Sequence, residues 1–461
     1  MSAETTARHG QFRSSGPSVQ DLLNEDHHKV PGVLREESYQ YTGSADIPTE
    51  SFYRPEWHER EVRHLWRKVW QMACREEEIP EAGDHVLYEI GADSLIVVRT
   101  KAGQIKAFYN ACLHRGRRLV DSDNRAAHFR CRYHGFSWNI DGTVREIPCG
   151  WDFTHIDPAT FCLPEARVGT WGGFVFISMD PDGESLEEFL GPLPDHFADF
   201  PLEERYTELH VAKVLPANWK ISLEAFIESF HVIATHPQAL PRIGATNTQY
   251  DNYGEQFNFN RMISPKGIPS PYLGREVSPE KIIGSSKSEI SEIAMELLSR
   301  GCSPRAALAE AERRHISALT DVDLSDKSDC EIIDTIQYFL FPNFFPWADY
   351  GNPFVYRFRP NGNDAATSIM DFYLLRPIGP KGRPGRAGTI HLDINQAWDE
   401  APGLPTSLAF ILNQDTGNLL GVQRGLQTTR KAGMTLGNYQ ESRIRHFHNL
   451  LDRWLSVPGN Q

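Results

Sequence analysis

The sequence predicts an α+β protein with a small antiparallel β domain followed by a larger domain of helices and antiparallel strands. The length of 461 residues suits two or three domains. Short β-rich segments separated by turn signals fill residues 71 to about 180, whereas amphipathic helical patterns and further strands follow residue 204. The predicted boundaries are 1–50 for an N-terminal arm, 51–188 for the small domain and 189–461 for the larger one.

The first half of the chain contains one helical pattern and several strand patterns. Residues 1 to about 46 are polar and mixed, which is typical of an extended arm. Apolar residues at helical spacing predict a helix over 54–70. Alternation and turn signals such as Asp141-Gly142 predict an antiparallel β domain with strands that include 94–99, 105–109 and 173–178.

The second half begins with a Pro-rich segment, 190–204, that is typical of a linker. Helices are predicted over 218–236, 287–300, 303–320, 404–428 and 440–456, and Ser303 and Pro304 supply an N-cap and a first helical position. The predicted strands are 332–341, 354–359, 367–375 and 388–393. The Gly-rich basic segment 381–388 lies between two of these strands, which favours a solvated hairpin loop.

The composition excludes several functional classes. A formal net charge of −14 argues against sequence-independent binding to nucleic acid, which needs a basic face. No run of eighteen apolar residues is present, so we expect no membrane span, and the polar N-terminus lacks the apolar core of a secretory signal. The seven cysteines suggest no disulfide framework, which favours a reducing cytoplasm.

Two short Cys/His motifs carry the strongest chemical signal. They are Cys112-x-His114 and, sixteen residues later, Cys131-x-x-His134. Each motif offers one thiolate and one imidazole, whereas a zinc finger pairs its two cysteines first and its two histidines later. The order suits a [2Fe–2S] cluster with two cysteines on one iron and two histidines on the other. A mixed zinc site, or two chance pairs, remains the alternative.

A second metal site is suggested in the predicted helix over 218–236. Glu228 and His231 are three residues apart and share a helix face, with Glu224 on the same face. His236 precedes Pro237, which disfavours helical geometry, so His236 is expected where the helix unwinds; a π-bulge would also align the two histidines. Two histidines and a distant carboxylate would form the facial triad of a non-haem Fe(II) oxygenase. The alternative is that His231 and His236 are ordinary core or surface histidines that bind no metal.

Taken together and in this order, the two constellations resemble the α subunit of Rieske non-haem iron ring-hydroxylating oxygenases. The resemblance covers roughly residues 50 to 430. It rests on these motifs: Cys112-x-His114-Arg115-Gly116, Cys131-x-x-His134-Gly135, Asn218-Trp219-Lys220, Glu228-x-x-His231-x4-His236, Leu340-Phe341-Pro342-Asn343, Asn413-Gln414-Asp415 and Gln423-Arg424-Gly425-Leu426.

The resemblance implies a fold, two cofactors and a set of site residues. It implies a Rieske [2Fe–2S] domain over 51–188 and a helix-grip (START-like) catalytic domain over 189–461. In that family the matching residues hold the cofactors: Cys112 and Cys131 the inner iron of the cluster, His114 and His134 its outer iron, and His231, His236 and Asp415 the mononuclear Fe(II). Glu228 would link a Rieske histidine of one subunit to His231 of its neighbour.

Two positions depart from the family pattern. The bridging acid is usually Asp, whereas Glu228 is longer by one methylene, which leaves the electron-transfer geometry less certain than the ligands. The family commonly has Asn between the Glu and Phe of this segment, and this chain has Ala225.

The resemblance also implies partners. No G-x-G-x-x-G fingerprint lies between a strand and a helix, so electrons would come from a separate NAD(P)H-dependent reductase, with or without a ferredoxin. The assembly would be a homotrimer, α3, with α3β3 as the alternative. The arginines around the cluster motifs form a basic island that would dock an acidic donor or would be internally paired. They are Arg115, Arg117, Arg118, Arg125, Arg130 and Arg132.

The substrate is expected to be a small hydrophobic aromatic or polycyclic molecule that undergoes ring dioxygenation. The alternative within the family is a monooxygenase or demethylase acting on a methyl or amine substrate. The aromatic-rich segment 339–354 would line a pocket in part and fill the sheet core for the rest. Residues 265–325 would form a lid that sets substrate size; a trimer contact or a surface insertion is the alternative.

Overall fold

Two large antiparallel sheets organise the computed structural model, which describes residues 14–284, 289–380 and 382–456. Both sheets carry buried apolar residues that join into one continuous core, with a second, smaller core beneath the Cys/His motifs. Within the described ranges, no helix is both long and apolar enough to cross a membrane.

The first sheet builds the small β domain. Its seven strands run in the order β2-β11-β10-β5-β4-β3-β6, and a separate three-stranded sheet, β7-β8-β9, carries the second Cys/His motif between β7 and β8. The strands up to this point are β1 (Ile47–Pro48), β2 (Gln71–Arg75), β3 (Asp84–Ile90), β4 (Asp93–Arg99), β5 (Ile105–Tyr109), β6 (Asn124–Arg125), β7 (His128–Arg130), β8 (Ser137–Asn139), β9 (Val144–Glu146), β10 (Glu165–Trp171) and β11 (Phe174–Ser178).

The second sheet builds the larger domain. Its order is β13-β14-β15-β16-β17-β18-β12-β19, antiparallel except that β19 runs parallel to β12. Its strands, with β20 of the two-stranded β1-β20 pair, are β12 (Arg205–Leu215), β13 (Gln249–Asp251), β14 (Phe259–Ser264), β15 (Thr335–Leu340), β16 (Phe344–Pro346), β17 (Phe354–Asn361), β18 (Asp364–Pro377), β19 (Thr389–Leu392) and β20 (Gly433–Met434).

The helices surround these sheets. They are α1 (Val19–Asn24), α2 (Pro55–Glu61), α3 (Leu186–Leu190), α4 (Leu193–His196), α5 (Trp219–Glu224), α6 (Val232–Thr235), α7 (Pro279–Ile283), α8 (Glu289–Ser299), α9 (Pro304–Thr320), α10 (Asp329–Ile333), α11 (Thr406–Gly417), α12 (Leu419–Thr428) and α13 (Ser442–Leu455). On α13, Phe447 lies 5.9 Å from both Phe339 and Phe341, measured between ring centroids. A long helix gripped by an antiparallel sheet is the α+β, helix-grip arrangement that was predicted.

The predicted helix over 218–236 is wrong as a continuous element. Helix α5 begins at its N-cap Asn218, ends at Glu224 and is followed by tightened turns, in which Phe226 N–H donates to Leu223 O. The Glu228 carboxylate then accepts the backbone N–H of His231 at 2.8 Å. Helix α6 begins directly after His231, which is its N-cap.

Other predictions need smaller corrections. The segment 190–204, expected as a linker, contains α4, and the strand expected over 332–341 begins only after α10. The segment 381–388 is not a hairpin loop, because β19 pairs with β12 and not with β18; Lys381 lies outside the described residues. The N-terminal arm contains α1, whose Val19, Leu22 and Leu23 are buried.

Buried polar contacts join the two domains close to α5. Asn343, at the β15–β16 turn, accepts the backbone N–H of Met72 at 3.0 Å. In addition, the Lys220 ammonium on α5 forms a fully buried ion pair with Glu61 on α2, which also accepts the Trp219 indole N–H at 2.8 Å. Breaking such a buried pair by removing one partner is strongly destabilising, so this contact anchors the start of the segment that carries Glu228 and His231.

Candidate metal centres

The two Cys/His motifs fold into equivalent turns. The N–H of Gly116 donates to Cys112 O at 2.8 Å, and the N–H of Gly135 donates to Cys131 O at 3.0 Å. Each turn ends on a glycine with positive φ, +75° and +82°, a conformation that glycine adopts without strain. The sequence spacing therefore places a thiol and an imidazole at the same positions of two matching loops.

The four side chains of these loops converge. The His114 and His134 ring centroids are 4.6 Å apart, and both thiols are buried. Burial raises the pKa of Cys112, whereas the backbone N–H groups of Tyr133 and His134, acting against burial, hold the pKa of Cys131 below its ordinary value. Among the described residues, Nδ1 of His114 is buried without a hydrogen-bond partner. Two converging thiols and an unpartnered buried imidazole nitrogen fit the donor set of a histidine-ligated [2Fe–2S] cluster.

A second group of side-chain atoms that could hold a metal ion lies in the larger domain. Nε2 of His236 is 2.6 Å from Oδ1 of Asp415, and Nε2 of His231 is 3.6 Å from the same oxygen. The three ligand atoms all lie within 4.8 Å of one another. Two imidazoles and one carboxylate on one side of a potential ion form the 2-His-1-carboxylate set that suits Fe(II).

The outward nitrogen of each imidazole has an acceptor. Nδ1 of His231 is 2.8 Å from Oε1 of Glu228, and Nδ1 of His236 is 2.9 Å from Oε1 of Gln414. An acceptor at Nδ1 keeps the proton there and leaves the Nε2 lone pair for a metal ion. Burial disfavours the charged form of His231, yet the Glu228 and Asp415 carboxylates raise its pKa to about 9. A metal ion therefore competes with a proton at this nitrogen.

Backbone geometry places the three ligands. His231 lies just before α6, and His236 ends it with φ −126° and ψ 52°, outside helical geometry. The prediction that Pro237 unwinds the helix at His236 is confirmed, and the segment contains no π-bulge. Asp415 lies on α11, 179 residues after His236 in sequence.

Two concavities meet at this centre. One, of about 500 Å³, contains His231, His236 and Asp415 together with a mainly apolar wall. The other, of about 620 Å³, is lined by Glu224, Glu228 and Glu441 besides His231 and Asp415. Ala225 borders both. The centre therefore borders a mainly apolar cavity that suits a substrate and a second concavity that contains several carboxylates.

Gln414 is a site residue for which the sequence analysis assigned no role. Its amide oxygen accepts both from His236 and from the Gln238 side chain, the latter at 2.7 Å. The available signal was its position beside Asp415 in the Asn413-Gln414-Asp415 motif. Because residues 414 and 415 adjoin on one helix, a single element supplies both a ligand to the centre and support for a second ligand.

The basic island around the cluster loops is largely paired. Arg125 forms a two-point ion pair with Asp84, with N–O distances of 2.6 and 3.1 Å, and Arg118 contacts Glu89 at 2.6 Å. Asp121 lies 3.1 Å from Arg117 and 3.7 Å from Arg132. These contacts support the internally paired alternative for four of the six arginines. The Arg132 side chain nevertheless stays 77% exposed, and a charged group at that exposure can still attract a partner.

The aromatic-rich segment divides between cavity and core. Trp347, Phe354 and Tyr356 line the apolar concavity, whereas Phe339 and Phe345 are buried in the sheet core. Of the lid predicted over 265–325, the described residue that lines this cavity is Lys266. Helices α7, α8 and α9 pack on one another with their own small core, which is typical of a surface insertion.

Comparison with known proteins gives two family matches. Residues 197–457 match the family described as "Ring hydroxylating alpha subunit (catalytic domain)", and residues 69–154 match the family described as "Rieske [2Fe-2S] domain". The first of these matches covers more than half of the chain. The candidate metal ligands described above lie within the match for the respective domain.

Individual relatives differ in what their names say they act on. The chain is 34% identical over 200 residues to an anthranilate 1,2-dioxygenase large subunit of Acinetobacter baylyi, covering 41% of this chain and 42% of that one. It is 28% identical over 224 residues to a carnitine monooxygenase oxygenase subunit of Escherichia coli, covering 46% and 59%. The aligned part thus spans roughly half the length of these relatives.

Solved structures resemble the whole described fold. A quaternary ammonium Rieske monooxygenase superposes with a TM-score of 0.62 at 16% identity, over 89% of this chain and 95% of that one. A naphthalene 1,2-dioxygenase superposes with a TM-score of 0.61 at 17% identity, over 91% and 94%. At these identities the comparison supports the fold alone.

Proposed function

The chain belongs to the family of ring-hydroxylating oxygenase α subunits with a Rieske [2Fe–2S] domain, and from this premise we propose that it is the terminal oxygenase of a multicomponent system. Its cofactors are a Rieske [2Fe–2S] cluster and a mononuclear non-haem iron. The observation that carries the proposal is the His231, His236 and Asp415 triad, which borders an apolar cavity.

The proposed ligands follow from the geometry of the two centres. Cys112, Cys131, His114 and His134 hold the cluster, and the triad holds the iron. When bound, the two groups deliver electrons singly to dioxygen, which as a triplet reacts slowly with closed-shell organic molecules. The protein itself orients the ligands, excludes water from the substrate and carries protons at defined atoms.

Glu228 is the proposed link between the two centres. One carboxylate oxygen faces Nδ1 of His231 and the other accepts the backbone N–H of the same residue, so the carboxylate is held rigidly. It also lines both concavities, the apolar cavity and the one that contains Glu224 and Glu441. A histidine at the surface of a neighbouring subunit's cluster could reach it there. A closed head-to-tail ring of identical subunits would satisfy every such contact, and the family resemblance implies three subunits, so we propose a homotrimer.

For the substrate we propose an aromatic ring. The apolar cavity includes Phe226, Trp347 and Tyr356, whose rings favour an aromatic guest by offset or edge contacts. The described carboxylates that line it are those of Glu228 and Asp415, both engaged at the iron centre. A free cationic substrate would therefore find little charge compensation, which favours ring hydroxylation.

Oxidation of a methyl or amine substrate is the second candidate. The ring centroids of Trp347, Phe354 and Tyr356 lie 5.1 to 6.3 Å apart. Such an aromatic cluster can also hold a quaternary ammonium group by cation–π attraction. Relatives of both kinds match the chain.

The deciding experiment is a product screen with the full chain, reconstituted with iron and supplied with NADH and a surrogate reductase. Aromatic and methylammonium substrates are compared under labelled dioxygen. We expect an aromatic product that carries both labelled oxygen atoms. A demethylated product with one labelled atom would support the second candidate, and the absence of any oxygenated product in a sample with both metal centres loaded would overturn the proposal.

A further inference from the structure

A lysine enters the wall of the apolar cavity at one end of a strand. Met262, Ser264 and Lys266 line the cavity in succession at every second residue. Because side chains in a strand alternate between its faces, this spacing puts all three on the cavity side. The bridge between Lys266 and Ile243, another cavity residue, continues the extended geometry beyond β14. Lys266 thus lies about 7 Å past Ser264 along the strand direction.

The backbone of Lys266 is firmly held. Its N–H donates to Oδ1 of Asp334 at 2.8 Å, and its carbonyl oxygen accepts from the Arg305 guanidinium at 2.7 Å. Arg305 in turn makes a two-point ion pair with Asp334, with both distances 2.7 Å. The position from which this side chain leaves the strand is therefore fixed by a buried charged network.

The ammonium group of Lys266 is not held in a direct ion pair. Among the described residues, no carboxylate lies within ion-pair distance of it, and no hydrogen bond from it is formed. The acids that act on it from further away are Asp349, Asp334 and Glu312. Asp334 is engaged by Arg305, and Asp349 accepts the backbone N–H groups of Ile336 and Asn352.

Burial adds to this imbalance. It lowers the pKa of Lys266, because the ammonium loses hydration that nearby groups replace only in part. The other cation in the cavity wall, Arg376, is already compensated by Glu208 at 2.8 Å. An anionic group arriving in the cavity would find at Lys266 a half-buried charged donor with no ion-pair partner among the described residues.

We propose that Lys266 binds a carboxylate of the substrate, so that the ring to be oxidised belongs to a small aromatic carboxylic acid. The inference rests on the proposed oxygenase function and narrows its substrate class. The apolar wall holds the ring, and the ammonium holds the acid group at a fixed place just past the end of β14. Because this charged contact orients the ring, one particular edge of the ring faces the iron triad. Oxidation at a single ring position requires such an orientation.

The test compares benzoate with its neutral isostere benzamide, using the full chain with both metal centres loaded. Dissociation constants are measured by calorimetry without oxygen, which keeps binding separate from turnover. We expect wild type to bind benzoate about tenfold or more tightly than benzamide, the range of one charge-assisted hydrogen bond. Lys266→Met should abolish the preference, and Lys266→Arg should keep most of it.

Two further variants locate the effect. Lys106→Met removes one positive charge from an exposed pair with Glu165 and should leave the preference for benzoate unchanged. An undiminished preference in Lys266→Met, with a wild-type melting temperature, would overturn the assignment. So would loss of the preference in Arg376→Gln together with its retention in Lys266→Met. If Lys266→Met does not fold, Lys266→Gln replaces it, judged by the same criterion.

Turnover separates this inference from the function on which it rests. With a surrogate reductase and labelled dioxygen, oxygenated benzoate from wild type and a selective loss of that product in Lys266→Met would support both. A binding preference that depends on Lys266, without oxygenation of any aromatic compound, would overturn the proposed function alone. Oxygenation of neutral aromatic compounds with no preference for benzoate would overturn the carboxylate site alone.

Discussion

The cluster loops and the iron triad differ in how far apart their candidate ligands lie in the sequence. Cys112 and His134 bound a short stretch of sequence whose two turns share one hydrogen-bonding pattern and rest on a separate small core. The triad draws His236 and Asp415 from points 179 residues apart and rests on the large core. A local motif can therefore build one centre, whereas the other needs the whole catalytic domain to fold first.

The two centres also differ in exposure. His134 is exposed at the surface of its domain, while His236 and Asp415 are buried beside the cavity. An exposed imidazole suits electron exchange with a partner, and buried ligands suit chemistry from which water is excluded. If this contrast is correct, substituting a ligand of one centre should leave the metal of the other centre in place.

The largest expected effect is loss of the cluster. Cys131→Ser removes a thiol ligand from a loop whose other contacts stay intact, so the iron content should fall from about three to about one per chain. Oxygenase activity and the visible colour of the cluster should both disappear. Metal analysis, EPR of the reduced protein and a turnover assay check this outcome. Cys149→Ser changes an exposed cysteine and serves as the matched control.

The converse experiment removes the triad. His236→Ala should abolish oxygenation while the cluster keeps its colour and its EPR signal, because the small core beneath the loops is separate. The iron content should fall by about one per chain. His391→Ala, at an exposed histidine on β19, is the control. Loss of the cluster signal in His236→Ala would contradict the independence of the two centres.

The two histidines of the triad are supported unequally, which predicts a graded effect. Glu228→Gln replaces a carboxylate that holds both Nδ1 and the N–H of His231, so turnover should fall by about 10- to 100-fold. Gln414→Leu removes a neutral acceptor from His236 and should cost less. Single-turnover oxidation of the reduced cluster separates electron transfer from substrate binding. Equal losses in the two variants would argue against a special role for Glu228.

The exposed arginines of the basic island offer a smaller effect. Arg115 stacks on Tyr133, and Arg132 lies 3.7 Å from Asp121, so reversing both to Glu should leave the fold intact. The KM for an acidic electron donor should rise about tenfold at low salt and less at high salt. The same KM at both salt concentrations would remove the docking hypothesis. Arg125→Glu is unsuitable, because Arg125 pairs with the buried Asp84.

The smallest expected effect is a pH dependence of the free energy of unfolding that arises from the ion pair between Arg125 and Asp84. The hydrogen bond from Arg125 holds the pKa of Asp84 below its ordinary value, so the folded state binds this proton less readily than the unfolded state. The resulting stabilisation is present above the ordinary pKa of Asp and is lost as the pH falls through the lowered value. Urea unfolding of wild type and Arg125→Gln should therefore differ at pH 7 and converge in acid.

Local pattern was sufficient for the Cys/His loops and for most elements. The strands expected over 94–99 and 105–109 and the helix that opens with Ser303 and Pro304 form as predicted, because alternation and capping are decided by neighbouring residues. The family resemblance added Asp415 to the triad. Spacing could not have selected it, since a chain with 61 acidic residues offers many candidates.

Only the tertiary structure decided how the catalytic segment is shaped. Helical spacing predicted one helix over 218–236, yet α5 ends at Glu224 and α6 begins only after His231, whose N–H the Glu228 carboxylate accepts. His231 and His236 then both lie beside Asp415. Lys266 lay at the start of the lid predicted over 265–325, and only the folded sheet made it part of the wall of the apolar cavity. Sequence determines local conformation and donor chemistry, whereas burial and charge compensation depend on segments that meet only after folding.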